Sequence, residues 1–172
     1  GGMELKVFAE GQAGWRFDGV DPAAPMLRFA EQTLGPLVAR VMLHEGTIAS
    51  APEGPFDAAS CLLTLHFLGI EERLRTPEEV RRRLLPGAAF VVAHHSFPRD
   101  EAGRELWSSR FAEFAIASGI ERARAEAGRG AIADQLPALS PDEDEALLRQ
   151  AGFTGVSLFY AALTFRGWVA YA

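Results

Sequence analysis

Cysteine is almost missing from this chain. The single Cys61 sits in an apolar run, so no disulfide framework can hold the fold, and an intracellular, cytoplasmic setting is expected. Long apolar runs are missing too. None approaches the ~20 residues that a helical membrane span needs, and no signal peptide is visible, so no membrane partner is expected. Positive charge is in deficit: 17 Lys and Arg stand against 23 Asp and Glu, a net charge of −6. That balance makes nucleic acid an unexpected partner, because affinity for phosphates needs a basic surface. There is no internal repeat and no low-complexity tract. Nor is there a phosphate loop or a nucleophile elbow, and no spacing of His, Cys, Asp and Glu suggests a metal site. What is left is an ordinary globular profile: 172 residues, 48% apolar and 23% charged. It suits a single domain over residues 1–172 with a sizeable core.

The most informative stretch is Trp15 to Leu27, WRFDGVDPAAPML. Phe17 to Val20 has strand character, Asp21 closes the strand, and Pro22 opens a helix through Met26, Leu27, Phe29 and Ala30. A carboxylate at the carboxyl end of a strand, just before a helix, can accept both hydroxyls of a ribose, and doubly wound α/β folds bind ligands along that edge. It can also cap the helix, with Pro22 at its first position. The two roles are compatible.

The rest of the chain alternates strand and helix. Met3 to Gln12 reads as a helix with Leu5, Phe8 and Ala9 on one face. Gly1 and Gly2 ahead of it are either a tag remnant before Met3 or the tail of a glycine-rich loop whose strand lies outside this sequence. Val41 to His44 is a short strand. Phe56 to Leu65 is a nearly continuous apolar run, as in a strand covered on both faces. Glu71 to Leu85 is helical and restarts or kinks at Pro77; Pro86-Gly87 ends it. Ala88 to Ala93 is the next strand, closed by His94-His95-Ser96. This rhythm predicts an α/β, Rossmann-like, doubly wound and mostly parallel sheet. Residues 99–139 break it with an inserted helical segment, read as a lid over the ligand edge. Its Trp107, Phe111 and Phe114 share one helical face and suit either an apolar substrate wall or packing on the sheet. Ser140-Pro141-Asp142-Glu143 is a capping box opening a helix to about Gln150. Val156 to Ala162 and Leu163 to Tyr171 form a closing antiparallel hairpin.

In this order the motifs GVDPAAPML (19–27), HEGTI (44–48), FDAASCLLTLHFL (56–68), LLPGAAFVVAHHSF (84–97) and the closing AGFTGVSLFYAALTFRGWVAYA (151–172) resemble a class I S-adenosylmethionine-dependent methyltransferase. The resemblance implies S-adenosyl-L-methionine as cofactor and a small molecule as methyl acceptor. It places Asp21 on the ribose hydroxyls, Met26, Thr47 and Ile48 beside the adenine, Leu62 and Leu63 near the methionine moiety, and Gly1 and Gly2 at the end of the glycine loop. It further implies that a first strand and most of that loop precede Gly1. By residue type alone, plain core packing is the better reading of Leu62 and Leu63.

Methyl transfer is an in-line displacement that needs alignment and exclusion of water more than a base. A catalytic residue is therefore not fixed by the sequence. The candidates are His66 and His94 at the expected ligand edge, with His44 and His95 as further histidines. Of His94 and His95, strand alternation turns one towards a substrate and the other away. TLHFL and the closing motif also resemble the carboxy-S-adenosylmethionine synthases, in which a lid arginine binds the added carboxylate. Arg129 stands at the matching spacing, and a guanidinium fork suits a carboxylate; a solvated arginine beside Arg122 and Arg124 is the plainer reading. A non-catalytic subunit of the same fold and a homodimer are also compatible with the sequence.

Overall fold

A computed structural model describes all 172 residues. They form two compact units, Gly1–Gly54 and Pro55–Ala172. In the first, helix α1 (Met3–Gly11) is followed by strand β1 (Phe17–Asp21), helix α2 (Ala24–Leu34), a 3-10 turn over Gly35–Arg40 and strand β2 (Val41–Glu45). β1 and β2 pair in parallel, with Phe17 opposite Val41 and Asp21 opposite Glu45. α1 has no basic residue in its last turn. Arg40 supplies the charge from a distance: its guanidinium donates to the carbonyls of Ala9, Gln12 and Trp15, meeting the orphan acceptors and the negative end of the helix.

The second unit runs through β3 (Phe56–Leu62), a 3-10 turn over Leu65–Phe67, α3 (Ile70–Arg83) and β4 (Leu84–His95). It continues with α4 (Glu101–Ala117), α5 (Arg122–Gly130), a π turn over Ala131–Gln135, α6 (Pro141–Gln150), β5 (Thr154–Ala162) and β6 (Phe165–Tyr171). Its four strands lie in the order β3-β4-β6-β5. β3 and β4 are parallel, whereas β6 runs antiparallel to both β4 and β5. The core holds Phe90, Val92, Trp168, Ala170, Leu148 and Phe153, with Phe90 stacked on Phe153.

Several expectations are met. The helical insertion, the antiparallel hairpin and the Ser140 capping box are present, with Ser140 Oγ accepting from Glu143 N and the Glu143 carboxylate accepting from Ser140 N. Others change. The strands form two sheets rather than one, and half of the pairings are antiparallel. β3 is not covered on both faces; it is the edge of its sheet and partly exposed along its length, so its apolar run reports strand propensity more than burial. Pro22 is not the first helical residue, because Ala23 is the N-cap of α2. α3 runs on through Pro77, which is buried, and gives way at Leu84 directly to strand. Pro86 and Gly87 fall where β4 shifts register against β3, so they mark an irregularity inside β4 rather than the end of a helix.

Candidate functional site

In the first unit the strand ends carry the chemistry. Asp21 is half-buried at the end of β1. Its Oδ1 accepts from Ala23 N at 2.8 Å, which orients the side chain and pins the residue that precedes α2; Ala23, not Asp21, is the N-cap, and no side chain caps the helix. Oδ2 has no partner and is free to accept. The backbone beside it is fixed, since Gly46 N donates to the Asp21 carbonyl at 3.1 Å. Gly46 has φ +135°, and a Cβ there would fall 2.1 Å from Ser50 Oγ, so only glycine fits this crossing. Thr47 follows, exposed, with its hydroxyl uncommitted to the turn over Ile48–Ser50 that it precedes; Ile48 is half-buried. Met26 lies exposed on α2.

Gly1 and Gly2 sit where α1 meets α2. Gly2 has φ +82°, and a Cβ on it would come within 2.8 Å of Ala30 Cα; one on Gly1 would strike the Phe29 ring. Gly2 therefore excludes a side chain, whereas at Gly1 the exposed Phe29 ring would have to turn aside. His44 is engaged elsewhere, with Nε2 2.7 Å from Asp18 Oδ1.

The second unit gathers three of the four histidines around the ends of β3 and β4. The two adjacent ones part to opposite sides, as strand alternation requires. His94 faces Trp168, Asp144 and α3, fully buried. Its Nε2 is 3.2 Å from Asp144 Oδ1, without hydrogen-bond geometry, since neither ring nitrogen makes a hydrogen bond. Asp144 Oδ1 also accepts from Arg73 Nη2 at 2.8 Å, and Arg73 Nη1 donates to the Pro137 carbonyl. Neither Arg73 nor Asp144 reaches solvent. Asp144 is thus the joint between α3, α6 and β4, although its Oδ2, Arg73 Nε and both His94 ring nitrogens are buried without hydrogen bonds.

His95 turns the other way. It stacks on Phe165 at 4.0 Å, meets the Phe111 ring edge-on, and pairs Nδ1 with Thr164 Oγ1 at 2.8 Å. Its own backbone N–H donates to His66 Nδ1 at 3.2 Å. His66 is buried in the turn after β3, 4.8 Å from the His95 ring. Burial, then the charges of His95, His94 and Arg73, push His66 down to about 3; burial and His94 push His95 down to about 4. Both rings are neutral near pH 7.

Leu62 is half-buried at the end of β3. Leu63 is exposed and held at φ +58°, with its N–H bonded to the Ala93 carbonyl at 2.7 Å. A left-handed leucine costs about 1–2 kcal/mol and marks a constrained strand end. Arg129, on α5, is not a free cation: it forks onto Glu105 of α4 at 2.5 and 2.7 Å and reaches Glu126 at 3.2 Å. Those carboxylates, Glu105 first, raise its pKa above the usual arginine value. In the insertion, Trp107 and Phe111 pack on Phe97, Ile132 and Ala138, while Phe114 is exposed. Two surface grooves, one of about 360 Å³ between α3 and α6 and one of about 760 Å³ beside α4, contain none of the predicted residues.

Sequence reasoning missed Arg73 and Asp144. Their signal was positional. Arg73, Pro77 and Val80 recur at i, i+4 and i+7, and Asp144, Leu147 and Leu148 at i, i+3 and i+4, so each charge lies on the buried stripe of its helix.

The first unit carries a strand-end aspartate on a parallel strand pair, and the second carries a mixed sheet with an antiparallel hairpin; the chain has an α/β methyltransferase fold. The comparisons agree: residues 1–92 match the methyltransferase domain family, and the chain belongs to that family. The family is S-adenosylmethionine-dependent. Among curated proteins the chain is 25% identical over 163 residues to the carboxy-S-adenosyl-L-methionine synthase of Pseudomonas putida (strain F1), covering 91% of this chain and 66% of that protein. The chain thus spans just under two thirds of the length of that relative. Among solved structures it resembles PigF, solved with SAH, with a TM-score of 0.68 at 18% identity, covering 96% of this chain and 46% of that one. It also resembles the N,N-8-amino-8-demethyl-D-riboflavin dimethyltransferase RosA of Streptomyces davawensis, with a TM-score of 0.68 at 15% identity, covering 98% and 45%. No helix is long and apolar enough to cross a membrane.

Proposed function

We propose that this chain is the methyltransferase domain of an enzyme that transfers a methyl group from S-adenosylmethionine to a small molecule. The observation that carries the reading is Asp21: one carboxylate oxygen is fixed on Ala23 N and the other is uncommitted at a strand's carboxyl end. The residues present fit the cofactor. Asp21 accepts from the ribose hydroxyls. Thr47 offers a free hydroxyl beside the adenine, with Met26 and Ile48 as its apolar neighbours. Gly1 and Gly2 are the end of a glycine loop whose lack of side chains keeps backbone and helix close. The family resemblance assigns Leu62 and Leu63, in the second unit, to the methionine moiety. When bound, the cofactor supplies a methyl carbon activated by its sulfonium. The insertion after β4 serves as the lid.

Isothermal titration of the full-length protein with S-adenosylmethionine tests this. Wild type should bind and Asp21→Ala should bind at least ~10-fold more weakly, the loss of about 1.4 kcal/mol expected for one charge-assisted hydrogen bond. No binding by wild type rejects the reading, and equal affinity of the two leaves Asp21 with its bond to Ala23 N alone.

A second reading, carboxy-S-adenosylmethionine synthesis, is favoured by the curated relatives. Arg129 speaks against it, because two carboxylates already occupy its fork. Mass spectrometry of the co-purified nucleoside separates the two readings, since the carboxylated cofactor is heavier.

A further inference from the structure

The bond between the His95 backbone and the His66 ring has a chemical consequence. A ring nitrogen that accepts a hydrogen bond carries no proton. His66 Nδ1 accepts from His95 N–H at 3.2 Å, and a backbone amide cannot exchange roles with it. In the neutral ring the proton must then reside on Nε2. Nε2 makes no hydrogen bond in the protein, although His66 is 3% exposed. The ring cannot turn over to present its other nitrogen without breaking the amide bond and leaving contact with Phe67 at 4.2 Å and His95 at 4.8 Å. It stands in the turn directly after β3, on the carboxyl side of parallel strands where α/β folds bind ligands. Nε2 is not among the polar atoms sealed from solvent, so Nε2–H is the open end of the ring, where a ligand atom with a lone pair can accept it.

We propose that His66 is a fixed hydrogen-bond donor to the methyl acceptor, through Nε2–H, and not a base. This rests on the methyltransferase reading and adds a demand on the substrate: it brings an oxygen or sp² nitrogen with an open lone pair to His66. The acceptor's own proton leaves by another route, to water or before binding. Burial, which holds the ring neutral down to a pH of about 3, keeps the donor in place across the physiological range.

The test is NMR of the full-length protein labelled with ¹⁵N in its imidazole rings. His66 should show protonated Nε2 and bare Nδ1, unchanged from about pH 8 to pH 5, well above its depressed pKa. A proton on Nδ1, or titration within that window, overturns the proposal. Benzoate and catechol, which carry acceptor oxygens, should shift the Nε2–H resonance at saturation, whereas toluene should not. A shift with all three, or with neither oxygen-bearing probe, overturns it as well. Adding S-adenosylhomocysteine to the same sample separates the two layers: if it fails to bind while the tautomer and the probe shifts hold, the functional reading falls and the donor assignment stands.

Discussion

Asp144 and Asp21 are the same side chain put to opposite uses. Asp144 is sealed in the second unit, its charge set against Arg73 at 2.8 Å and its Oδ1 beside His94. Asp21 is half-buried in the first unit, bound to one amide and otherwise open. A carboxylate that has its cation beside it inside the core belongs to the fold, because neither charge can be given up alone. A carboxylate held by a backbone amide at a strand end, half-open to solvent, has no buried cation to keep; Asp144 Oδ2 also lacks a hydrogen bond but is sealed in the interior. The histidines divide differently: both ring nitrogens of His94 are buried without a hydrogen bond, while His66 commits Nδ1 to the His95 amide.

The sharpest way to break this contrast is to remove Asp144. Asp144→Ala leaves Arg73 charged and uncompensated, and should cost about 3–5 kcal/mol in urea unfolding. Replacing Arg73 and Asp144 together by Met and Leu should recover most of that. A cost as small as that of a surface residue would put Asp144 in the same class as Asp21.

Acid should act next most strongly, and on the second unit. Unfolded histidines take up a proton near pH 6.5, whereas folded His95 and His66 hold out to about 4 and about 3. Below pH 6.5 the unfolded chain therefore binds more protons, and stability falls as pH drops towards 4 and then 3. The urea midpoint followed across that window should decline. It should decline less in a His66→Gln, His95→Asn variant.

Two smaller effects complete the series. Ser140→Ala removes the hydroxyl half of the capping box on α6 and leaves the backbone N–H half in place, and should cost about 1 kcal/mol. Asp21→Ala should cost about 0.5 kcal/mol of stability, the low end for one lost hydrogen bond, while its cofactor affinity drops at least ~10-fold. A stability loss matching that of Asp144→Ala would erase the distinction between the two aspartates.

Local signals made much of the fold legible. β1 and Asp21, the Ser140 box and the closing hairpin each depend on a few adjacent residues, and capping and strand chemistry act at that range. Long-range partners were not legible. Arg73 and Asp144 are 71 residues apart, and Glu105 lies 24 residues from Arg129, so nothing local announces either pair. The division into two sheets was hidden for the same reason, since a strand's sequence records its propensity and not its neighbours. His66 was legible as a histidine at the right edge but not in its chemistry, because its tautomer is set by the backbone of His95.

The fastening of α4 to α5 has a consequence of another kind. Glu105–Arg129 and Glu113–Arg122 bridge the two helices at the surface, while Trp107 and Phe111 grip Phe97 beneath. Ionic clasps between exposed groups weaken as the Debye length shrinks, from about 10 Å at 0.1 M salt to about 3 Å at 1 M; apolar grips do not. The insertion is thus hinged by two materials with different solvents for their enemies: salt loosens α5 while α4 stays seated. Ionic strength, more than temperature, tunes how firmly α5 is held to α4.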